Sequence, residues 1–172
     1  RRILTACAAA ACCVVLVVAR PFYGGPAVTA TPPAAVQGGY GSVEYDSPQA
    51  LAEALSWPLA IPTALPEGYS LLLAQSLPGE LAELRWSDGT DTLCYRMAPG
   101  SEDISGDYTQ YGEISTRAVG TRSVQCRGEG GMIYTAVWTA DGYSCSLSAS
   151  GGLSPAELEG ILSSIQSIEK GK

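Results

Sequence analysis

Between residues 132 and 149 the chain alternates with few faults. Met132, Tyr134, Ala136 and Trp138 are separated by single residues; Ala140-Asp141-Gly142 interrupts, and Tyr143, Cys145, Leu147 and Ala149 return with Ser144, Ser146 and Ser148 between them. Period two is the spacing of side chains along one side of a β-strand, so the stretch predicts a hairpin with one apolar and one wet face. Asp-Gly suits its turn, because a primed turn needs positive φ. An apolar sheet face must be covered by another layer, and the rest of the chain has to supply it.

The cover is expected from residues 153–168, LSPAELEGILSSIQSI. Ser154 and Glu157 have the spacing of a capping box, Pro155 suits the first helical position, and Leu153 is placed to staple onto Leu158. Leu158, Ile161, Leu162, Ile165 and Ile168 then form one helical stripe. Upstream, Leu84 and Trp86 alternate with Glu83 and Arg85; Ser87-Asp88-Gly89-Thr90 reads as a hairpin turn, and Leu93, Tyr95 and Met97 return. Further strands are predicted near 113–119 and 121–127, after a polar interruption at 99–111. Ser47 and Pro48 start a short helix carrying Leu51 and Leu55, which Trp57-Pro58 ends near Ser56. The prolines of 60–68 predict an extended connector leading to a first strand at 69–73. The fold class expected is α+β: an antiparallel, meander-like sheet of six or seven strands, with a C-terminal helix on one face and a short N-terminal helix.

Residues 3–19, ILTACAAAACCVVLVVA, carry no charge and are flanked by Arg1-Arg2 and Arg20. As a helix they span about 25 Å, close to the hydrocarbon thickness of a bilayer. The segment is expected to be a transmembrane anchor over residues 1–20, with a cleaved leader, and then a lipoprotein or soluble core helix, as the competing readings. Arg1-Arg2 place the N-terminal flank in the cytoplasm and everything after Arg20 outside the cell. Residues 21–45, rich in Pro, Gly and Ala, are expected to be a linker, and residues 46–172 an extracytoplasmic domain.

Charge narrows the partners. With Arg1, Arg2 and Arg20 set aside, seven basic residues face seventeen acidic ones, which excludes the phosphate-binding surface that nucleic acid requires. The chain has no His, which removes the Ser-His and Cys-His nucleophile arrangements and imidazole metal sites. Cys94, Cys126 and Cys145 sit in apolar-patterned strands without C-x-x-C spacing, and are read as small core residues, with one disulfide among them as the alternative. Gly128-Glu129-Gly130-Gly131 lacks the Lys and helix of a phosphate loop and reads as a hairpin turn.

Several strings resemble a domain-of-unknown-function family: Ser47-Pro48-Gln49-Ala50, the run IPTALPEGY at 61–69, WTADGY at 138–143 and LSPAEL at 153–158. The resemblance covers about residues 46–168. It implies a short helix, a connector, an antiparallel sheet and a closing helix. It also implies a place as the extracytoplasmic C-terminal part of single-pass Gram-positive membrane proteins, some of them anti-sigma-factor-like. It supplies no catalytic residue.

The function expected is that of a membrane-anchored, non-catalytic sensor or interaction module, without cofactor or metal. Its partners would be the membrane, through residues 3–19, and an envelope protein or ligand. The surface expected to meet that ligand is the loop carrying Asp103, Asp107, Tyr108 and Tyr111. The alternative is a cell-envelope hydrolase, since the loops also hold Asp88, Asp91 and Glu102 and glycosidic chemistry needs only two carboxylates.

Overall fold

The computed structural model describes residues 36–37, 41–78 and 80–171. The anchor expected at residues 1–20, and most of the linker expected at 21–45, lie outside the described residues. Among the described residues no helix is long and apolar enough to cross a membrane. The described residues fall in one compact unit.

In chain order the elements are β1 (Val36–Gln37), β2 (Val43–Glu44), α1 (Pro48–Ala54), β3 (Ala60–Pro62), β4 (Ser70–Leu77), β5 (Leu81–Ser87) and β6 (Thr92–Pro99). They are followed by β7 (Glu113–Val119), β8 (Arg122–Glu129), β9 (Met132–Ala140), β10 (Tyr143–Leu153), α2 (Pro155–Ser163) and β11 (Ile165–Ser167). The fold is α+β and its strands pair antiparallel. The main sheet has nine strands in the order β1-β2-β4-β5-β6-β10-β9-β8-β7, rather than six or seven in one meander. Two meanders, β4-β5-β6 and β7-β8-β9-β10, are joined because β10 pairs with β6, Leu147 opposite Tyr95. β1 and β2 extend the sheet from within the stretch expected as linker.

Local chemistry accounts for the helices. The Ser47 side chain accepts from Ala50 N at 3.1 Å and Pro48 opens α1. At α2 the capping box forms: Glu157 N donates to Ser154 Oγ, and Ser154 N donates to Glu157 Oε2 at 2.8 Å. The predicted five-residue stripe is cut short. Leu158, Ile161 and Leu162 are buried in α2, but Ser164 Oγ turns back to donate to Ile161 O at 2.7 Å, and Ile165 enters β11, which pairs with β3. Freeing Ile165 from the helix lets β11 satisfy the backbone of the proline-punctuated connector, and this outweighs one more helical turn.

The inner face of the sheet bears Leu84, Trp86, Leu93, Tyr95, Ala136, Trp138, Cys145 and Leu147, all buried, together with Leu51 and Ala52 of α1 and the three apolar residues of α2. Fully burying one such Leu contributes about 1.5–3 kcal/mol. The phenol of Tyr95, buried at 1 % exposure, donates to Ala60 O at 2.8 Å and ties the small β3–β11 sheet to the large one.

Two turns differ in kind. Asp141 and Gly142, both at positive φ, make the two-residue turn between β9 and β10. Between β5 and β6 the loop has four residues, because Asp88 Oδ1 accepts from Thr90 N and Asp91 N at 2.8 Å each and so holds an Asx turn instead of a tight primed one.

The alternation of β9 also breaks. Arg127 pairs with Thr135 but Gly128 pairs with Ile133, so Tyr134 is an extra residue in the ladder. This bulge buries Ile133 with Ala136 and Trp138 and leaves Tyr134 and Met132 only half-buried, where unbroken spacing predicts both on the apolar face.

Candidate functional site

β6 and β7 are consecutive in sequence, yet β10, β9 and β8 lie between them in the sheet. The chain must therefore cross three strands, and residues 100–112 do so as a strap over the face opposite α1 and α2. Ser144 and Ser146, expected on a wet face, are consequently 2 % and 1 % exposed.

The strap is fastened at three places. Beneath its middle, Arg96 Nη1 donates to Ser105 O at 2.6 Å and Ile104 O at 3.2 Å. Arg96 projects outward because its neighbours Tyr95 and Met97 project inward. Its Nε is 2.7 Å from Oε2 of Glu83, whose side chain is fully buried and also meets Arg85 Nη2 and Gln75 Nε2, each at 2.8 Å. Burial pushes the Glu83 carboxyl up, but the Gln75 hydrogen bond and the Arg96 and Arg85 charges bring it below its ordinary value. Gly106 passes directly over Arg96 at φ +66, and a Cβ there would collide with Arg96 Nη1.

The second fastening is Asp103, whose Oδ2 is 2.6 Å from Arg127 Nη2 of β8 and whose Oδ1 accepts from Ser105 N at 2.9 Å. The third is Asp107. It takes hydrogen bonds from Thr135 Oγ1 of β9, from Tyr111 Oη at 2.8 Å and from Thr109 N at 3.0 Å. Burial pushes the Asp107 carboxyl up, and the bonds from Thr135, Thr109 and Tyr111 outweigh it, holding the group well below the usual carboxylate range. The Tyr111 ring stacks on Tyr134 at 5.9 Å between centroids. The bulge in β9 is what turns Tyr134 outward to receive it.

Of the four residues expected to form a ligand surface, three thus hold the strap down and one does not. Tyr108 is 95 % exposed at the strap's crest. Asp103 and Asp107 are each engaged with protein donors, and they are not paired with each other. The partners that make the site rigid, Glu83, Arg96, Arg127 and Thr135, escape a reading by motif. The sequence signal for the first two is a charge in the strand alternation where an acid and a base face each other across β5 and β6.

A cleft of about 290 Å³ lies beside the strap, bordered by Glu102, Asp103, Thr116, Gln125 and Arg127. Across the sheet a narrower cavity of about 190 Å³ is bounded by Tyr95, Arg122, Trp138, Tyr143 and Ile165. Among the described residues no three His, Cys, Asp or Glu side chains converge as a metal site would require. Cys94, Cys126 and Cys145 are free thiols. Burial pushes Cys145 up to about 11, and Cys94 and Cys126 are raised from the same cause, which keeps all three protonated and poorly nucleophilic at neutral pH. The site therefore offers a rigid, polar-rimmed surface with one projecting aromatic ring. Compared with known proteins, the chain matches no family model, no curated protein and no solved structure.

Proposed function

We propose that this chain is the outer part of a membrane-anchored, single-pass protein, and that the domain after the linker is a non-catalytic sensor or interaction module of the cell envelope. In this reading residues 3–19 hold it in the membrane, the C-terminal domain faces outward, and the strap meets an envelope protein or ligand. The motif resemblance to the extracytoplasmic domain-of-unknown-function family supports this placement and suggests an anti-sigma-factor-like regulator.

The observation that carries the reading is the pinned strap. Its two central carboxylates are committed to Arg127, Thr135 and Tyr111, while Tyr108 is left 95 % exposed on a fixed support. An aromatic ring held out on a rigid loop loses little conformational freedom on binding, which suits recognition more than turnover. The test uses the full chain in mild detergent with peptidoglycan fragments and with common glycoside and ester substrates. Saturable binding that is lost in Tyr108→Ser, without turnover, is the result expected. Turnover that disappears in Asp103→Asn/Asp107→Asn would establish the hydrolase instead. Protease added outside intact cells should remove the domain, and protection until the membrane is broken would reverse the orientation.

A further inference from the structure

The two edges of the large sheet are unlike. One ends in β1, a strand of two residues, and the other in β7, a strand of seven whose first six residues are exposed. No described strand pairs with the far side of β7. A long open edge is a template for another strand, and proteins ordinarily shorten, bulge or cover it.

Hairpin geometry tells which backbone groups are open. Val119 pairs with Arg122 across the two-residue turn at Gly120-Thr121, so these flanking residues exchange both hydrogen bonds. By alternation residues 117, 115 and 113 also bond to β8, and the N–H and C=O groups of Ile114, Thr116 and Ala118 face outward. A second β7 can pair antiparallel only in registers that match outward residues with outward residues. Three such registers centre on the strand, placing Ile114, Ser115 or Thr116 on the two-fold axis.

Charge separates them. With Ser115 on the axis, Glu113 of each copy lies opposite Arg117 of the other, twice by symmetry, and Ile114 lies against Thr116. The register centred on Thr116 puts Ser115 opposite Arg117, and that centred on Ile114 puts Tyr111 there, so neither pairs opposite charges. The Glu113 carboxylate is already oriented by Gly130 N at 3.1 Å and Gly131 N at 3.2 Å. Ile114, 66 % exposed, packs against the Thr116 methyl in this register and would meet its own copy in the one centred on Ile114, so charge and not apolar contact selects Ser115. We propose that β7 is a self-association edge, through which two copies of this chain join their sheets about a two-fold axis at Ser115. One strand pair is small beside the roughly 1,200–2,000 Å² that stable interfaces bury, so the dimer is weak and concentration-dependent.

Opposed antiparallel residues outside the hydrogen-bonded pairs lie about 4.5 Å apart at Cα, within the disulfide range. The experiment introduces one cysteine at Ile114, Ser115 or Thr116 in the full chain and oxidises each variant mildly in detergent. Cys7, Cys12, Cys13, Cys94 and Cys126 are changed to Ala, so that neither the partly exposed Cys94 nor Cys126, which pairs with Ser115 across β7 and β8, can compete. Ser115→Cys should give the highest yield of covalent dimer. Adding Arg117→Glu should lower that yield about tenfold through like-charge opposition, and Glu113→Arg with Arg117→Glu should restore it. Absence of cross-linking, as when an extended segment of the same chain or another protein occupies the edge, would overturn the proposal. So would equal cross-linking at all three positions, or a charge exchange that fails to restore the dimer.

Discussion

On the inner face of the sheet Leu84, Leu93, Ala136 and Leu147 are shielded by two helices, whereas on the outer face Glu83, Ser144, Ser146 and Thr135 are shielded by a loop. Residues on both faces reach exposures near zero. The inner face excludes water with apolar surface, which is additive and tolerant of exchange among similar shapes. The outer face excludes it with a polar network in which Glu83 and Thr135 each depend on specific partners, while the Ser144 and Ser146 hydroxyls are buried beside it without a hydrogen-bond partner. Rigidity of the strap is thus bought with specificity, and this distinguishes the surface that carries Tyr108 from an ordinary loop.

The sharpest break of that comparison is Arg96→Met. It leaves Glu83 short of a cation in a dry site and strips the strap carbonyls of Ile104 and Ser105 of their donor. The expected cost is about 3–5 kcal/mol, measured by urea unfolding. Adding Glu83→Met should recover part of the loss, because two apolar side chains can replace a buried ion pair; a double variant no more stable than the single one would show that the network does not act as a unit.

On the inner face Ile161→Ala should cost about 2–5 kcal/mol by leaving a cavity. A loss below about 1 kcal/mol would mean that α2 is not packed on the sheet. Here no second polar substitution should rescue the variant, which is the contrast with Arg96.

The smallest effect belongs to the strap's end. Asp107→Asn should cost about 1 kcal/mol at neutral pH, since Asn keeps an acceptor but loses the charge. Glu83, Asp103 and Asp107 all ionise below their ordinary values in the folded chain. Their contribution is fully present above the unfolded carboxyl pKa of about 4 and is lost as pH falls through the lower folded values. Stability should therefore decline below about pH 4, and less steeply in Asp107→Asn, as chemical denaturation at a series of pH values would show. Equal slopes would remove Asp107 from the set of groups that stabilise the strap.

Much of the framework was legible before any coordinates. Ser47-Pro48 and Ser154-Pro155 mark helix starts because capping is decided within four residues. The turn at Asp141-Gly142 and the buried row of Ala136, Trp138, Cys145 and Leu147 follow from local φ preference and period two. Sequence pattern groups Tyr108 with Asp103, Asp107 and Tyr111, whereas the fastening role of the other three rests on Arg127, Thr135 and Tyr134, which are distant in the chain.

What the sequence determined by itself was local: which segments are helix or strand, where they begin, which face of each is apolar, and an acidic balance of charge. Tertiary structure alone decided that β10 pairs with β6, that the residues after β6 must consequently cross three strands, and that the crossing buries serines spaced as if for water. It also decided the bulge that turns Tyr134 outward toward Tyr111, and the early end of α2 that releases Ile165 into β11. These outcomes depend on pairings between residues far apart in the chain, such as Arg96 with Ser105 O or Leu147 with Tyr95. Backbone and charge satisfaction across such distances is a property of the packed whole, and no window of local propensity contains it.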